Sequence, residues 1–229
     1  MSILLALEPV TPPAARAALE RLSPAERERV SAIRKAPRAE AVAVSLALAR
    51  ETVAAATGRP QERLEFTRRC ERCGHPTHGR PRLAGSPVEL SVARSERWAA
   101  VALAPVAVGA DVEDPGRALT AGELDPVLSA TERRWAAGRA GDDLLRLWVM
   151  KEAAGKAMGV GIVGVEDVSL VEHDDDALDG WRELTDATGR RWSVTPVAQA
   201  SAVLAVAVAG APRPIRRPSR SGATCRALP

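Results

Sequence analysis

Apolar residues fall into short blocks along the chain, and the punctuation between the blocks separates strands from helices. Residues 3–7 form an apolar run that stops at Pro9 and Pro12-Pro13, as a first strand would. A helix is predicted over 14–22, and Ser23 ahead of Pro24 caps a second one that runs to Arg34. Beyond Pro37, residues 38–57 make a long Ala-rich helix that Gly58 closes. Residues 64–66 read as a short strand, 70–82 as a polar loop and 88–92 as an alternating strand. Residues 98–104 and 106–113 are continuous apolar strands on either side of Pro105, predicted to pair in a sheet core. Ser129-Ala130-Thr131-Glu132 has the form of a capping box and opens a helix to Ala137. A second long helix spans 142–158, and strands are predicted at 165–170, 192–196 and 203–209. From Ala211 the chain turns to Pro, Arg and Ser with no apolar period, which predicts disorder.

This order places a long helix followed by strands twice. The expected fold is α+β, two similar halves over 1–105 and 106–210 with a seam near Pro105, and a disordered basic tail over 211–229. A length of 229 residues allows two units of about 100 residues each. The 46% hydrophobic and 27% charged content is that of an ordinary globular protein. No run of eighteen apolar residues predicts a membrane span, and residues 1–7 lack the basic region and cleavage site of a signal peptide. Three cysteines do not make a disulfide framework, so a reducing, cytoplasmic setting is expected. The net charge of +3 fits an acidic partner or a phosphorylated ligand as well as nucleic acid.

Two segments carry the chemistry. On a strand, Asp111 and Glu113 point to one face, where two neighbouring carboxylates repel unless a hard cation lies between them. The plainer alternative is a solvated strand end before the turn at Asp114-Pro115-Gly116. On a helix, Trp148, Glu152 and Lys156 share one stripe. The alternative there is a surface Glu–Lys pair worth a few tenths of a kcal/mol. Gly155 costs that helix about 1 kcal/mol relative to Ala, which predicts a close-packing role. Together the segments offer three carboxylates for a hard cation and a lysine for a phosphate, a set suited to Mg²⁺-dependent phosphoryl chemistry.

Gly109-x-Asp111-x-Glu113 and Trp148-x-x-Lys151-Glu152-Ala153-x-x-Lys156 stand in an order and separation that resembles the 4′-phosphopantetheinyl transferase family. The length resembles the larger type, an intramolecular pseudo-dimer that activates peptide and polyketide synthetases. The resemblance implies transfer of the phosphopantetheine arm of coenzyme A to a serine of an apo acyl or peptidyl carrier protein, with release of adenosine 3′,5′-bisphosphate. It implies Mg²⁺ on Asp111, Glu113 and Glu152, with Glu152 also the base and Lys156 neutralising phosphate charge. Gly79-Arg80-Pro81 is similar to the family's Gly-Lys-Pro turn along the adenine. Arg80, Pro81, Ser91, Lys151 and Lys156 are thus expected coenzyme contacts. Val92 stands where the family has His, and Glu40-Ala41-Val42-Ala43 where it offers Arg and a hydroxyl to the 3′-phosphate. Arg29, Arg34, Lys35, Arg38 and Arg50 are nearby substitutes, with Arg50 expected at the coenzyme. A monomer that binds neither nucleic acid nor membrane is implied.

Two other readings compete. A family-like protein could hold coenzyme A or an acidic carrier without transferring. The spacing of Cys70, Cys73, His75 and His78 also suits zinc, and with the basic tail it would suit a nucleic-acid-binding module.

Overall fold

The computed structural model describes residues 2–68, 74, 79–173, 177–199 and 201–218. The chain opens with strand β1 (Ile3–Pro9) and helices α1 (Pro12–Arg21), α2 (Pro24–Ser31) and α3 (Ala36–Thr57). Strands β2 (Phe66–Arg68), β3 (Pro81–Leu83), β4 (Glu89–Arg94), β5 (Trp98–Ala104) and β6 (Val108–Glu113) follow. Helices α4 (Ala121–Leu124), α5 (Ala130–Ala136) and α6 (Asp142–Met158) lead to β7 (Arg182–Thr185), β8 (Arg191–Val197), β9 (Val203–Ala209) and β10 (Ile215–Arg216). The α+β class is as expected. Among the described residues, no helix is long and apolar enough to cross a membrane.

Local rules account for the helix ends. Ser23 and Glu26 form a reciprocal capping box on α2, and Ser129 and Glu132 form another on α5. Gly58 and Gly159 close α3 and α6 in the left-handed conformation, at φ 69° and 81°.

The halves repeat one topology. In the first, β1 precedes the helices and then pairs antiparallel with β5, which pairs antiparallel with β4. In the second, β6 precedes the helices and pairs antiparallel with β9, which pairs antiparallel with β8. Alternation along each strand divides the core three ways. Leu4, Ala6, Val101 and Leu103 pack with α3, while Ala205 and Ala207 pack with α6. The opposite faces meet each other through Ala100, Ala102, Ala104, Ala110, Val206 and Val208. The layers are therefore helix, sheet, sheet, helix, with a small-residue seam at the middle.

Several expectations are corrected. Strands β5 and β6 flank Pro105 but belong to different sheets, because each takes its partner from its own half. Residues 165–170 are not a strand: they follow a 3₁₀ turn over Ile162–Gly164, and their carbonyls are drawn inward by a buried lysine. Strand β7, unmarked by any strong alternation, adds the outer edge of the second sheet. The expected disordered tail begins too early at 211, since β10 pairs in parallel with β1. Residues 219–229 and the loop bearing Cys70, Cys73, His75 and His78 lie outside the described residues.

Candidate active site

Strand β6 and helix α6 meet at a point where β6 carries no side chain. A Cβ on Gly109 would lie 1.9 Å from the Ala153 carbonyl oxygen and 2.5 Å from the Ala157 nitrogen. Both obstacles are backbone, so only glycine permits this approach. Gly155 has the same duty on the other side of α6, where a Cβ would lie 2.5 Å from the Gly161 carbonyl oxygen. Its predicted packing role is thus found.

The close crossing brings acids and a lysine together. Asp111 is buried, and its Oδ1 accepts a hydrogen bond from Lys156 Nζ at 2.5 Å. Its Oδ2 is buried with no hydrogen-bond partner. Burial pushes the Asp111 carboxyl above the usual range, with Lys156 opposing. Glu113 accepts from Arg117, whose guanidinium lies 5.6 Å from the centre of the Trp148 ring. Burial raises Glu113 as well, with Arg117 opposing and Asp111 adding. Glu152 is half-buried and raised first by burial, with Lys156 opposing and then Asp111 and Glu113 adding. The structure therefore places Asp111, Glu113, Glu152 and Lys156 within one another's fields, as the spacing predicted.

Among the described residues, no three His, Cys, Asp or Glu side chains converge tightly enough as they stand to cage a metal ion. Lys156 and Arg117 hold Asp111 and Glu113 instead. The donor chemistry nonetheless fits a hard divalent cation. All three groups offer oxygen, their charged forms repel, and Asp111 keeps one buried oxygen unsatisfied.

A cleft of about 320 Å³ opens beside this cluster, at the junction of the halves. Gly155, Lys156 and Val160 line it from one half, and Arg68, Arg80, Pro81, Ser91 and Val92 from the other. A neighbouring cavity of about 380 Å³ shares Arg68, Pro81 and Val92 and reaches Arg29. Ser91 Oγ accepts the Ala110 N–H at 3.0 Å, tying β4 to β6 across the seam and leaving its own hydrogen to donate. Val92 gives the cleft an apolar wall. Residues 41–43, expected to differ from a phosphate grip, are buried in α3.

The rim is cationic, and this feature was only partly legible. Arg68 is pushed down to about 10 by burial and then by Arg29 and Arg94, with Glu26 opposing. Arg94 is lowered by partial burial and then by Arg29 and Arg38. These guanidiniums stay charged at neutral pH and repel one another, a state that an anion would relieve. Arg29 and Arg38 were candidates from the sequence. Arg68 and Arg94 were not, because α2, β2 and β4 converge only in the folded chain.

Two expected coenzyme contacts, Arg50 and Lys151, lie away from the cleft lining. Arg50 is buried in a bond with Glu26 at 3.0 Å and also reaches the carbonyls of Gln61 and Leu64. Lys151 is buried against Glu132 at 2.6 Å and the carbonyls of Val165 and Val168 at 2.8 and 2.7 Å. Burial lowers the Lys151 ammonium, with Glu132 opposing. Neither cation lines the cleft: the Lys151 ammonium spends all three donors within the protein, and both Arg50 terminal nitrogens are likewise taken.

No individually curated protein matches the sequence at a significant level. Residues 107–207, which contain β6, α6 and the acidic cluster between them, match the 4′-phosphopantetheinyl transferase superfamily. Over that segment, less than half of the chain, the protein is similar to this superfamily.

Proposed function

We propose that the protein transfers the 4′-phosphopantetheine arm of coenzyme A to a serine of an apo acyl or peptidyl carrier protein, with Mg²⁺, releasing adenosine 3′,5′-bisphosphate. The repeated topology supports reading it as the pseudo-dimeric type, with both halves supplied by one chain acting as a monomer. One observation carries the reading. A buried carboxylate oxygen of Asp111 is left unsatisfied beside Lys156 and Glu152, and Lys156 lines a cleft to which both halves contribute.

Asp111, Glu113 and Glu152 would hold Mg²⁺, which when bound neutralises charge on the coenzyme pyrophosphate. The rest is done by the chain itself. Glu152, raised toward neutrality by burial, is suited to take the serine proton as the oxygen attacks phosphorus. Lys156 is poised to leave Asp111 and balance charge on the phosphate under attack and on the departing bisphosphate. Arg29, Arg68 and Arg94 are suited to a phosphate dianion at the far end of the ligand. The basic rim also suits an acidic carrier.

The test is the intact mass of each member of a panel of apo carrier proteins after incubation with protein, coenzyme A and Mg²⁺. A gain of one phosphopantetheine arm is expected, lost in Asp111→Ala while the fold is kept. No gain on any carrier, with coenzyme A still bound, would instead identify a binding homologue.

A further inference from the structure

We propose that Arg80 is a positioning residue: from the first half of the chain it fastens the last turn of α6, and with it Lys156, in place. The inference rests on the transferase reading, because Lys156 matters through that chemistry.

The last carbonyls of a helix lack partners within the helix. At the end of α6, the N–H groups of Gly159 and Gly161 both donate to Gly155 O, at 3.0 and 3.1 Å. Arg80 supplies what the next two carbonyls need. Its Nη2 donates to Lys156 O at 2.8 Å and to Ala157 O at 2.5 Å. Its Nη1 is held by Glu89 Oε2 at 2.8 Å. The guanidinium is therefore a strut from the start of β4 to the end of α6.

Its position is fixed from both sides. Gly79, at φ 102°, and Pro81, the first residue of β3, set the backbone that launches Arg80. A cation at the C-terminus of a helix also meets the negative end of the helix dipole. The turn that Arg80 holds is the one from which Lys156 reaches back to Asp111. Arg80 divides these partners between two nitrogens of one rigid plane, Nη1 on the carboxylate and Nη2 on the carbonyls, and lysine at this position replaces that spaced fork with a single point of donation. The Arg of Gly79-Arg80-Pro81, a departure from the lysine of the resembled turn, thereby acquires a physical reason.

A direct coenzyme contact and a strut predict different kinetics. Steady-state transfer should be measured for wild type, Arg80→Ala, Arg80→Lys and Glu89→Gln, together with amide hydrogen exchange over residues 153–161 in ligand-free protein. Arg80→Ala and Arg80→Lys should lower kcat by about 10- to 100-fold, the effect of a misplacement near 1 Å. KM for coenzyme A should stay near wild type. Glu89→Gln, which leaves the Arg80 charge intact, should show a smaller effect of the same kind. Exchange over 155–161 should quicken in all three while the rest of the chain keeps its protection. A raised KM with unchanged kcat would overturn the strut in favour of a ligand contact, as would wild-type protection of the α6 turn in Arg80→Ala. If wild type modifies no carrier, the transferase reading fails separately, and the exchange measurement alone decides whether the strut exists.

Discussion

In the first half, Glu26 caps α2 and also accepts Arg50 of α3, which reaches on to the carbonyls of Gln61 and Leu64. In the second half, Glu132 caps α5 and accepts Lys151 of α6, which reaches on to the carbonyls of Val165 and Val168. The same latch is built twice: capping glutamate, buried cation on the long helix, carbonyls of the following loop. Each cation is followed by a glutamate, and here the halves part. Glu51 is exposed and pairs with Arg21, whereas Glu152 faces Asp111 and Glu113. Five residues after the latch cation stand Ala55 in α3 and Lys156 in α6. The latch is scaffolding common to both halves, and the chemistry belongs to side chains added around one copy.

The comparison is broken most forcefully at the paired glutamates. Glu152→Gln should cost transfer about 10²- to 10⁴-fold, the usual worth of a general base. Glu51→Gln should leave transfer unchanged, since its exposed ion pair contributes about 0–1 kcal/mol to stability. Equal transfer rates in the two variants would remove Glu152 from the mechanism.

Next come the latches. Lys151→Met leaves Glu132 buried without its cation, which should cost about 3–5 kcal/mol in urea unfolding. Arg50→Met should fall at or just below the low end of that range, because Glu26 is 15% exposed and Glu132 is 0%. Wild-type stability in Lys151→Met would mean that the pair does no structural work.

The subtlest effect is on pH. Asp111, Glu113 and Glu152 are raised in the fold, so the native state binds more protons than the unfolded chain above the unfolded value of about 4. Their contribution is therefore most favourable below that pH and declines as pH rises through the raised native values. Asp111→Asn should flatten this decline in a series of unfolding curves, and added Mg²⁺ should oppose it in wild type. A slope unchanged by both would exclude Asp111 as its source.

How legible this was varies with the range of the interaction. Most strand and helix positions followed from local periodicity, with residues 165–170 and β7 among the exceptions, and the Gly109-to-Glu113 and Trp148-to-Lys156 patterns led directly to the acidic cluster. The capping box at Ser129 was legible because it spans one turn. That Glu132 would also swallow Lys151 was not, because the partner lies 19 residues away. Adjacency misled as well. Neighbouring helix residues point about 100° apart, so Lys151 turns into the core although Glu152 turns toward Asp111 and Glu113. The parallel strand at 215–216 had no local signal, its apolar content being Ile215 alone.

The alanines between the two sheets have a further consequence. Arg80 and Ser91 stand on one side of that contact, and Asp111 and Lys156 on the other. The thickness of the alanine layer therefore acts as a shim that sets the gap between the two jaws. Added bulk at Ala100 or Ala102, outside the cleft lining, would widen the jaws while leaving every residue at the lip intact.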